Sequence, residues 1–242
     1  MKLENKTVIV TGGAMGIGKA CCESFAAEGA NVVLIDWDDM GKETAAKIGE
    51  RCMFIKADIS DEDQIREVKE EIMRKYGRID VLVNNAAIQT ENSFFKMSAA
   101  EFRKVIDVNL IGTFICSSTF GSEMKRGSTV VNMLSVHYDV PRLNKYHYDA
   151  AKAGMAIMTK EMALAVADKG ITVNGVSYGA CRTPMNRGWE TSPESRLAAE
   201  KKIPLRWIAE PEEIAHFVTV VVKEFSKHAT GSIFTYDGGR SI

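Results

Sequence analysis

The sequence lacks the cysteine pattern of a disulfide-stabilised or metal-binding protein. Five cysteines are an odd number, and none shows the CxxC or mixed Cys/His spacing that holds a metal ion or a redox pair. We therefore expect buried free thiols, with no metal site and no disulfide. The cysteines are Cys21, Cys22, Cys52, Cys116 and Cys181.

An excess of one charge and long apolar runs are also missing. The chain has 31 basic and 32 acidic side chains, so it has no electrostatic footprint for nucleic acid or for an anionic membrane surface. No window approaches 18 uninterrupted apolar residues, and the opening MKLENKTVIVTGG runs into a strand-like segment without a signal-peptide pattern. The expected partners are small molecules or further copies of the chain, and the expected compartment is the cytoplasm.

The sequence does contain a regular alternation of short β-branched runs and longer amphipathic stretches. Strand-like runs occur at KTVIVTGG, ANVVLIDWDD, CMFIKADIS, IDVLVNNAA, STVVNMLS, ITVNGVSYG and GSIFTYDGG. Helical patterns occur at GKACCESFAAEG, EDQIREVKEEIMRKYG, EFRKVIDVNLIGTFICSSTF and EPEEIAHFVTVVVKEF. Strands that are apolar almost throughout, with helices between them, predict an α/β fold with a doubly wound parallel sheet covered by helices on both faces.

The chain shows no internal repeat, low-complexity segment or Pro/Ser-rich linker, so we predict a single domain over residues 1–242. Its length and 45% hydrophobic content suit one large core. The least regular stretch, about 179–207, follows the C-terminal end of a strand, where α/β proteins place ligand loops. We predict a substrate loop or lid there, to which Met185 and Trp189 contribute.

A glycine-rich turn, TGGAMGIG at 11–18, follows the first strand and opens the first helix. Such a turn lets backbone N–H groups and the positive end of a helix approach a pyrophosphate closely. Asp36, 18 residues beyond Gly18 at the end of the next strand, is placed to accept from the adenosine ribose hydroxyls and to repel a 2′-phosphate. Neither Met15 nor Trp37 offers a cation to that phosphate, so the sequence predicts NAD rather than NADP.

The segment KYHYDAAKAG at 145–154 contains two tyrosines and two lysines. At about 100° per residue, Tyr148 and Lys152 lie on one helix face, whereas Tyr146 points away from Lys152. A cation ~4 Å from a phenolate stabilises it by up to ~4 kcal/mol at an effective dielectric of ~20. Tyr148 is therefore the better candidate for proton transfer, although an ordinary surface helix has the same spacing.

Taken together and in this order, TGGAMGIG, NNAA at 84–87, Ser135 and YDAAK resemble the motifs of the short-chain dehydrogenase/reductase family over essentially the whole chain. The resemblance implies a Rossmann-like fold, with Tyr148 as general acid/base and Lys152 as its electrostatic partner and ribose ligand. It also implies that Ser135 polarises the substrate oxygen and that Asn109 supports a proton-relay water. From its sequence context alone, Asn109 is an exposed helix amide.

The same resemblance implies the residues of a dinucleotide site. Asp58, with Ile59 beside it, matches the acid that binds the adenine amino group, and Thr183 matches the residue that binds the nicotinamide carboxamide. The cofactor set that it implies is Gly12, Met15, Gly16, Ile17, Gly18, Asp36, Trp37, Asp58, Ile59, Asn85, Ala86, Ala87, Tyr148, Lys152, Gly179 and Thr183.

Two residues depart from the family pattern. Ala87 stands where NNAG has glycine, which is tolerable if its φ is negative. Tyr178 replaces the usual proline, which removes a fixed φ and adds a phenol near the nicotinamide. The loop SVHYDVPRLNKYHY, rich in His, Arg and Lys, is either a solvated loop or a pocket wall that favours a hydroxylated or anionic substrate. The substrate-pocket candidates are His137, Arg142, His147, Tyr178, Met185 and Trp189.

These features predict an NAD-dependent oxidoreductase that interconverts a secondary alcohol and a ketone, the alcohol being a sugar, polyol, cyclic alcohol or hydroxysteroid. One alternative is an NADPH-dependent 3-oxoacyl reductase on the same fold, which Asp36 disfavours. Another is a dinucleotide-sensing module without turnover, which the presence of the complete catalytic set disfavours. The family resemblance also implies a homotetramer, with the long helices around Asn109 and Tyr148 packing between subunits.

Overall fold

The chain folds around one parallel β-sheet. A computed structural model describes residues 1–189 and 192–242, with residues 187–189 described by their backbone alone. The strands are β1 Thr7–Thr11, β2 Asn31–Asp36, β3 Cys52–Lys56, β4 Val81–Asn84, β5 Thr129–Met133, β6 Thr172–Tyr178 and β7 Ile233–Tyr236. They pair in parallel in the order β3-β2-β1-β4-β5-β6-β7.

Helices connect successive strands and cover both faces of the sheet. The α-helices are α1 Gly16–Ala27, α2 Met40–Ile48, α3 Glu62–Tyr76, α4 Ala99–Ile106, α5 Gly112–Gly121, α6 Tyr146–Val166, α7 Pro193–Glu200 and α8 Pro211–Val220. Two π turns, Asp107–Ile111 and Val221–Phe225, join α4 to α5 and extend α8. Two 3-10 turns lie at Val136–Tyr138 and Pro184–Trp189.

Burial on both faces explains why the strand sequences are almost continuously apolar. In β1, Val8 and Val10 belong to a core shared with α1 and α8, whereas Ile9 belongs to a second core shared with α3 and α5. Alternate side chains of a strand point to opposite faces, so one strand supplies both cores. The predicted doubly wound α/β sheet in a single domain is confirmed. Of the five free thiols, Cys52 is half-buried and the others are buried.

Local signals fix the ends of the best-predicted helix, α3. The Asp61 carboxylate accepts hydrogen bonds from the N–H groups of Asp63 and Gln64 and so caps the first turn. Gly77 ends the helix in the left-handed region, at φ 65°. An acidic first turn and a basic last turn also complement the helix dipole.

Two helical features go beyond what the apolar pattern indicates. Helix α2 buries only the small residues Gly41, Thr44 and Ala45, which give little apolar periodicity. The predicted long helix around Asn109 is interrupted by the π turn Asp107–Ile111, and Asn109 is the residue that this turn buries. Single π turns inside α-helices often occur at functional sites.

The strand order reverses between β1 and β4. The chain adds β2 and β3 on one side of β1 and then returns to place β4 on the other side. In open parallel sheets, ligands bind outside the carboxyl ends of the strands at such a switch point. The fold therefore predicts a ligand site at the edge where the glycine turn, Asp36 and Ser135 lie. None of the helices in the described ranges is long and apolar enough to cross a membrane.

Candidate active site

A cleft of about 950 Å³ opens at this carboxyl edge of the sheet. Residues within 179–186 and 195–203 form one wall, and the glycine turn and the start of α6 contribute to the others. Every residue of the expected cofactor set except Lys152 lines this cleft: Gly12, Met15, Gly16, Ile17, Gly18, Asp36, Trp37, Asp58, Ile59, Asn85, Ala86, Ala87, Tyr148, Gly179 and Thr183.

The glycine turn leaves its backbone accessible to a ligand. Gly12 has φ +66°, and a Cβ atom on Gly18 would lie 2.0 Å from the Gly12 carbonyl oxygen. Met15 is the N-cap of α1, and its side chain makes no capping hydrogen bond to the first helical N–H groups. These N–H groups and the positive helix end can therefore bind a phosphate. The turn fits the pyrophosphate of a dinucleotide.

Asp36 is held beside this turn by the backbone. One carboxylate oxygen accepts from the Ala14 N–H at 2.9 Å and the other from the Asp38 N–H at 3.0 Å. Burial is the main influence on this carboxyl group and raises the pKa of Asp36. Each carboxylate oxygen can accept a second hydrogen bond, so the oriented group can also bind a ribose hydroxyl.

The NNAA segment supports the glycine turn from the neighbouring strand. The Asn85 amide donates to the carbonyl oxygens of Thr11 and Gly12, at 2.9 and 3.0 Å. Ala87, which replaces the family's usual glycine, does not have a positive φ. Its methyl group therefore causes no backbone strain, and both alanines of the segment line the cleft.

Three hydroxyl groups converge on the other side of the cleft. Ser135 follows β5, Tyr148 lies in the first turn of α6, and Tyr178 ends β6. The hydroxyls of Ser135 and Tyr178 both act on the Tyr148 phenol and lower its pKa. The Lys152 ammonium lies 5.7 Å from the centre of the Tyr148 ring, which confirms that these two residues share a helix face. The arrangement places a proton acceptor and a hydroxyl donor at one point.

Burial controls the charge states of this group. It raises the pKa of Tyr148 to about 12 and lowers the pKa of Lys152 to about 7. The Ser135 and Tyr178 hydroxyls oppose this rise in the pKa of Tyr148, because they stabilise the phenolate. A buried phenolate and a buried ammonium, each costly alone, stabilise one another. Tyr148 and Lys152 can therefore act together in taking up and returning one proton.

Lys152 and Asn109 lie behind the cleft wall. The Lys152 ammonium donates to the Met133 carbonyl oxygen at 2.6 Å. The Asn109 side chain accepts from the Ile88 N–H at 2.8 Å and donates to the Ile88 carbonyl oxygen at 2.9 Å. Asn109 is thus fully buried, and its sequence-based assignment as an exposed helix amide is wrong. Its side chain fixes the backbone of Ile88, a cleft residue.

Four of the substrate-pocket candidates line the cleft. They are His137, Arg142, Tyr178 and Met185. His147 does not line it, because it is fully buried and its Nδ1 accepts from the Tyr148 N–H. Its Nε2 therefore carries the proton and donates to the Thr90 hydroxyl at 2.8 Å. The Trp189 side chain lies outside the described residues.

Sequence reasoning did not select Gln89, although it lines the cleft directly after NNAA. Its amide nitrogen donates to the Met185 carbonyl oxygen at 3.2 Å, and its amide oxygen accepts from Lys145 at 2.6 Å. A polar residue just beyond a strand end at the switch point is the signal that points to it.

The combination of a dinucleotide cradle with a buried tyrosine, serine and lysine at one sheet edge defines a nicotinamide-dependent oxidoreductase. The chain matches the family model described as Enoyl-(Acyl carrier protein) reductase over residues 12–241. It belongs to the short-chain dehydrogenase/reductase family, as its motifs indicate.

Relatives with several different activities match nearly the whole chain. The chain is 35% identical to 3beta-hydroxysteroid dehydrogenase 1 of Eggerthella lenta, over 99% of this chain and 95% of that protein. It is 38% identical to the 3-oxoacyl-acyl-carrier-protein reductase FabG of Thermotoga maritima, over 100% of both. A solved structure described as a glucose/ribitol dehydrogenase from Brucella melitensis matches with a TM-score of 0.94 and 33% identity, over 100% of this chain and 98% of that chain.

Proposed function

We propose that the protein is an NAD-dependent dehydrogenase that interconverts a small secondary alcohol and the corresponding ketone. The observation that carries this proposal is a single cleft lined by the glycine turn and Asp36 and also by Ser135, Tyr148 and Tyr178. A bound nicotinamide dinucleotide would supply the hydride acceptor. Tyr148 takes the hydroxyl proton, Ser135 donates to the substrate oxygen, and Lys152 stabilises the phenolate.

Replacement of Tyr148 tests this mechanism. Tyr148→Phe removes the proton-transferring oxygen, and we expect the rate of alcohol oxidation to fall by about 10²- to 10⁴-fold, the usual contribution of a general acid/base. NAD binding, measured by fluorescence titration, should stay within about threefold of wild type, because the ring remains. Tyr146→Phe, in the same helix turn, is the matched control and should retain activity. Unchanged turnover in Tyr148→Phe would exclude the proposed mechanism.

The preference for NAD is inferred from Asp36. Its carboxylate can bind a ribose diol and repels a 2′-phosphate. We expect Asp36→Ser to weaken NAD binding about 10- to 100-fold, because a hydrogen bond to a charged group contributes about 1.5–3 kcal/mol. NADP binding should strengthen in the same variant. Asp39→Ser, which alters an exposed carboxylate outside the cleft, is the control. Tighter binding of NADP than of NAD by the wild type would contradict the assignment.

A 3-oxoacyl reductase is the second candidate function. The 38% identity to the Thermotoga maritima FabG and the match to an acyl-carrier-protein reductase model favour it. Such an enzyme would reduce an acetoacetyl thioester with NADPH faster than it oxidises a free alcohol with NAD. The two assays on one preparation separate the candidates, and NAD binding without turnover in either would indicate a dinucleotide-sensing module.

We also infer that the enzyme is a homotetramer that acts in the cytoplasm. Large apolar side chains on α5 and α6, among them Phe114, Ile157 and Leu164, are exposed on the single chain. Exposed apolar surface of this kind is typical of protein interfaces. The cytoplasmic assignment depends on the nicotinamide cofactor and on the unpaired thiols, and cell fractionation would test it.

A further inference from the structure

A lysine is buried at the substrate side of the cleft. Lys145 is only 2% exposed, yet it lines the cleft. Its ammonium donates to the Gln89 amide oxygen at 2.6 Å and lies 3.4 Å from a Glu91 carboxylate oxygen. It also lies 5.8 Å from the centre of the Tyr148 ring. A buried cation is stable only beside dipolar or anionic partners, so this position favours a negatively charged ligand.

The surroundings of Lys145 show that a carboxylate fits there. An ammonium has three N–H donors, and two described residues, Gln89 and Glu91, contact it with an oxygen atom. Glu91 has a half-exposed side chain and lies 3.4 Å from Arg142 as well as from Lys145. Its carboxylate therefore occupies the position between two cations that a ligand carboxylate would take.

The proposed site is connected to both the reacting phenol and Met185 in the cleft wall. The distance from the Lys145 ammonium to the Tyr148 ring allows only a few bonds between an anionic group and a carbinol oxygen held by Tyr148. Gln89 joins Lys145 to the Met185 carbonyl oxygen. A steroid or a neutral sugar would bring no anionic group to Lys145, whose anionic contact would remain the Glu91 carboxylate.

We propose that the substrate is a short-chain hydroxy acid whose carboxylate binds Lys145, with Arg142 as the second cation. This inference rests on the proposed dehydrogenase function and specifies its substrate class. In the reaction the carbinol C–H bond breaks and a C=O bond forms. The hydroxy acid loses two electrons as hydride to NAD, and the hydroxyl proton passes to Tyr148 and then to solvent. The product is an oxo acid.

A panel of matched compounds tests the substrate class. The probes are 3-hydroxybutyrate, 2-hydroxybutyrate, methyl 3-hydroxybutyrate, 2-hydroxypropanesulfonate and butan-2-ol, each with NAD. We expect a hydroxy acid to exceed its methyl ester in kcat/KM by at least about tenfold, the lower range for one charge-assisted hydrogen bond. The difference should lie mainly in KM, because Lys145 binds a part of the substrate that does not react.

Substitution of Lys145 tests the residue itself. In Lys145→Met the preference for the acid over its ester should fall about 10- to 100-fold, and Lys145→Arg should retain part of it. Lys160→Met, an exposed lysine on the same helix, is the control and should keep the preference. NAD affinity and thermal stability, measured in parallel, verify that each variant is folded.

The outcomes separate the two proposals. Turnover of butan-2-ol, a polyol or a steroid alcohol at least as efficient as that of the hydroxy acids would overturn the carboxylate site and leave the dehydrogenase proposal standing. Preference for the sulfonate over both hydroxy acids would also overturn the carboxylate assignment. An acid preference that survives in Lys145→Met would overturn the role of Lys145. Absence of turnover with the whole panel and with neutral alcohols would overturn the proposed function.

Discussion

Tyr178 adds a second phenol to the reacting group. Strands β5 and β6 pair Met133 with Val176, so Ser135 and Tyr178 follow as neighbours where the two strands end. Both hydroxyls lower the pKa of Tyr148 against the effect of burial. Where the family pattern has proline, this chain therefore has a donor that stabilises the phenolate.

Tyr178→Phe should shift the pH dependence of alcohol oxidation. In the proposed mechanism oxidation requires the Tyr148 phenolate, so its rate should rise as pH increases through the pKa of Tyr148. Tyr178→Phe removes one hydroxyl donor, whose interaction with the phenolate is worth about 1 kcal/mol, so the pKa of Tyr148 rises by about one unit. The rising part of the rate-against-pH curve then moves to higher pH. The measurement is kcat against pH. Tyr236→Phe, the β7 neighbour of Tyr178, is the control. A pH profile of unchanged shape for Tyr178→Phe would refute this role. A purely structural residue would change the rate by the same factor at every pH and would not move the rising limb.

Lys152 is predicted to reduce stability as well as to serve catalysis. Burial lowers the pKa of Lys152 to about 7, whereas an unfolded lysine titrates near ~10.4. Between these values the unfolded chain binds more protons, so folding stability rises with pH. We expect Lys152→Met to be more stable than wild type. This difference in the free energy of unfolding should be largest at or below about pH 7 and should disappear toward about pH 10. Urea unfolding across this range measures it, and a pH-independent difference would contradict the buried charge.

Residue chemistry was only partly predictable from the sequence. The i,i+4 spacing is sufficient to place Tyr148 and Lys152 on one face, because both lie in a regular helix. The burial of Asn109 and the coupling of Gln89 to Lys145 depend on contacts across 21 and 56 positions in the chain. No local pattern carries such contacts.

At the scale of elements, the π turn between α4 and α5 directs one amide onto the cleft wall. The Asn109 side chain satisfies both backbone groups of Ile88. Helix π turns insert one residue and so rotate the side chains that follow. This explains how a polar residue in a long apolar helix reaches the site.

Asn109→Ala should destabilise the cleft wall. It leaves the N–H and carbonyl groups of the half-buried Ile88 without their partners, at about 1–3 kcal/mol for each group that water does not reach. We expect Tm to fall by about 4–24 °C, on a scale of about 2–4 °C per kcal/mol for a chain of this size. Asn109→Asp keeps the acceptor and loses the donor, so its effect should be intermediate. Equal stability of Asn109→Ala and wild type would show that Ile88 finds other partners.

Element prediction succeeded where apolar periodicity is strong. The seven strands and α3 follow directly from their sequences, because the inner strands and α3 bury large apolar side chains and the edge strands β3 and β7 half-bury theirs. Helix α2 packs through small residues, and α7 buries none of its described residues. The sequence signal for these two elements is correspondingly weak, and α7 lies inside the stretch predicted to be irregular.

At the scale of the whole molecule, the chain leaves an apolar surface on two helices. Phe114 on α5 and Ile157 and Leu164 on α6 are 56%, 58% and 81% exposed. Ile157 and Leu164 are seven residues apart, so they lie on one face of α6. Burying such a face contributes about 25 cal/mol for each Å² removed from water.

The homotetramer proposal predicts that charge on this face dissociates the assembly. We expect wild type to elute with a mass four times 26.7 kDa in light scattering. The double variant Ile157→Glu with Leu164→Glu should give smaller species, because burying an unpaired carboxylate in the interface is costly. Met40→Glu changes an exposed apolar residue on α2 and should leave the mass unchanged. Because Tyr148 and Lys145 lie at the start of α6, subunit contacts along that helix would also restrain the site, and dissociation should lower kcat. A monomeric wild type with full activity would show that neither the assembly nor the restraint is needed.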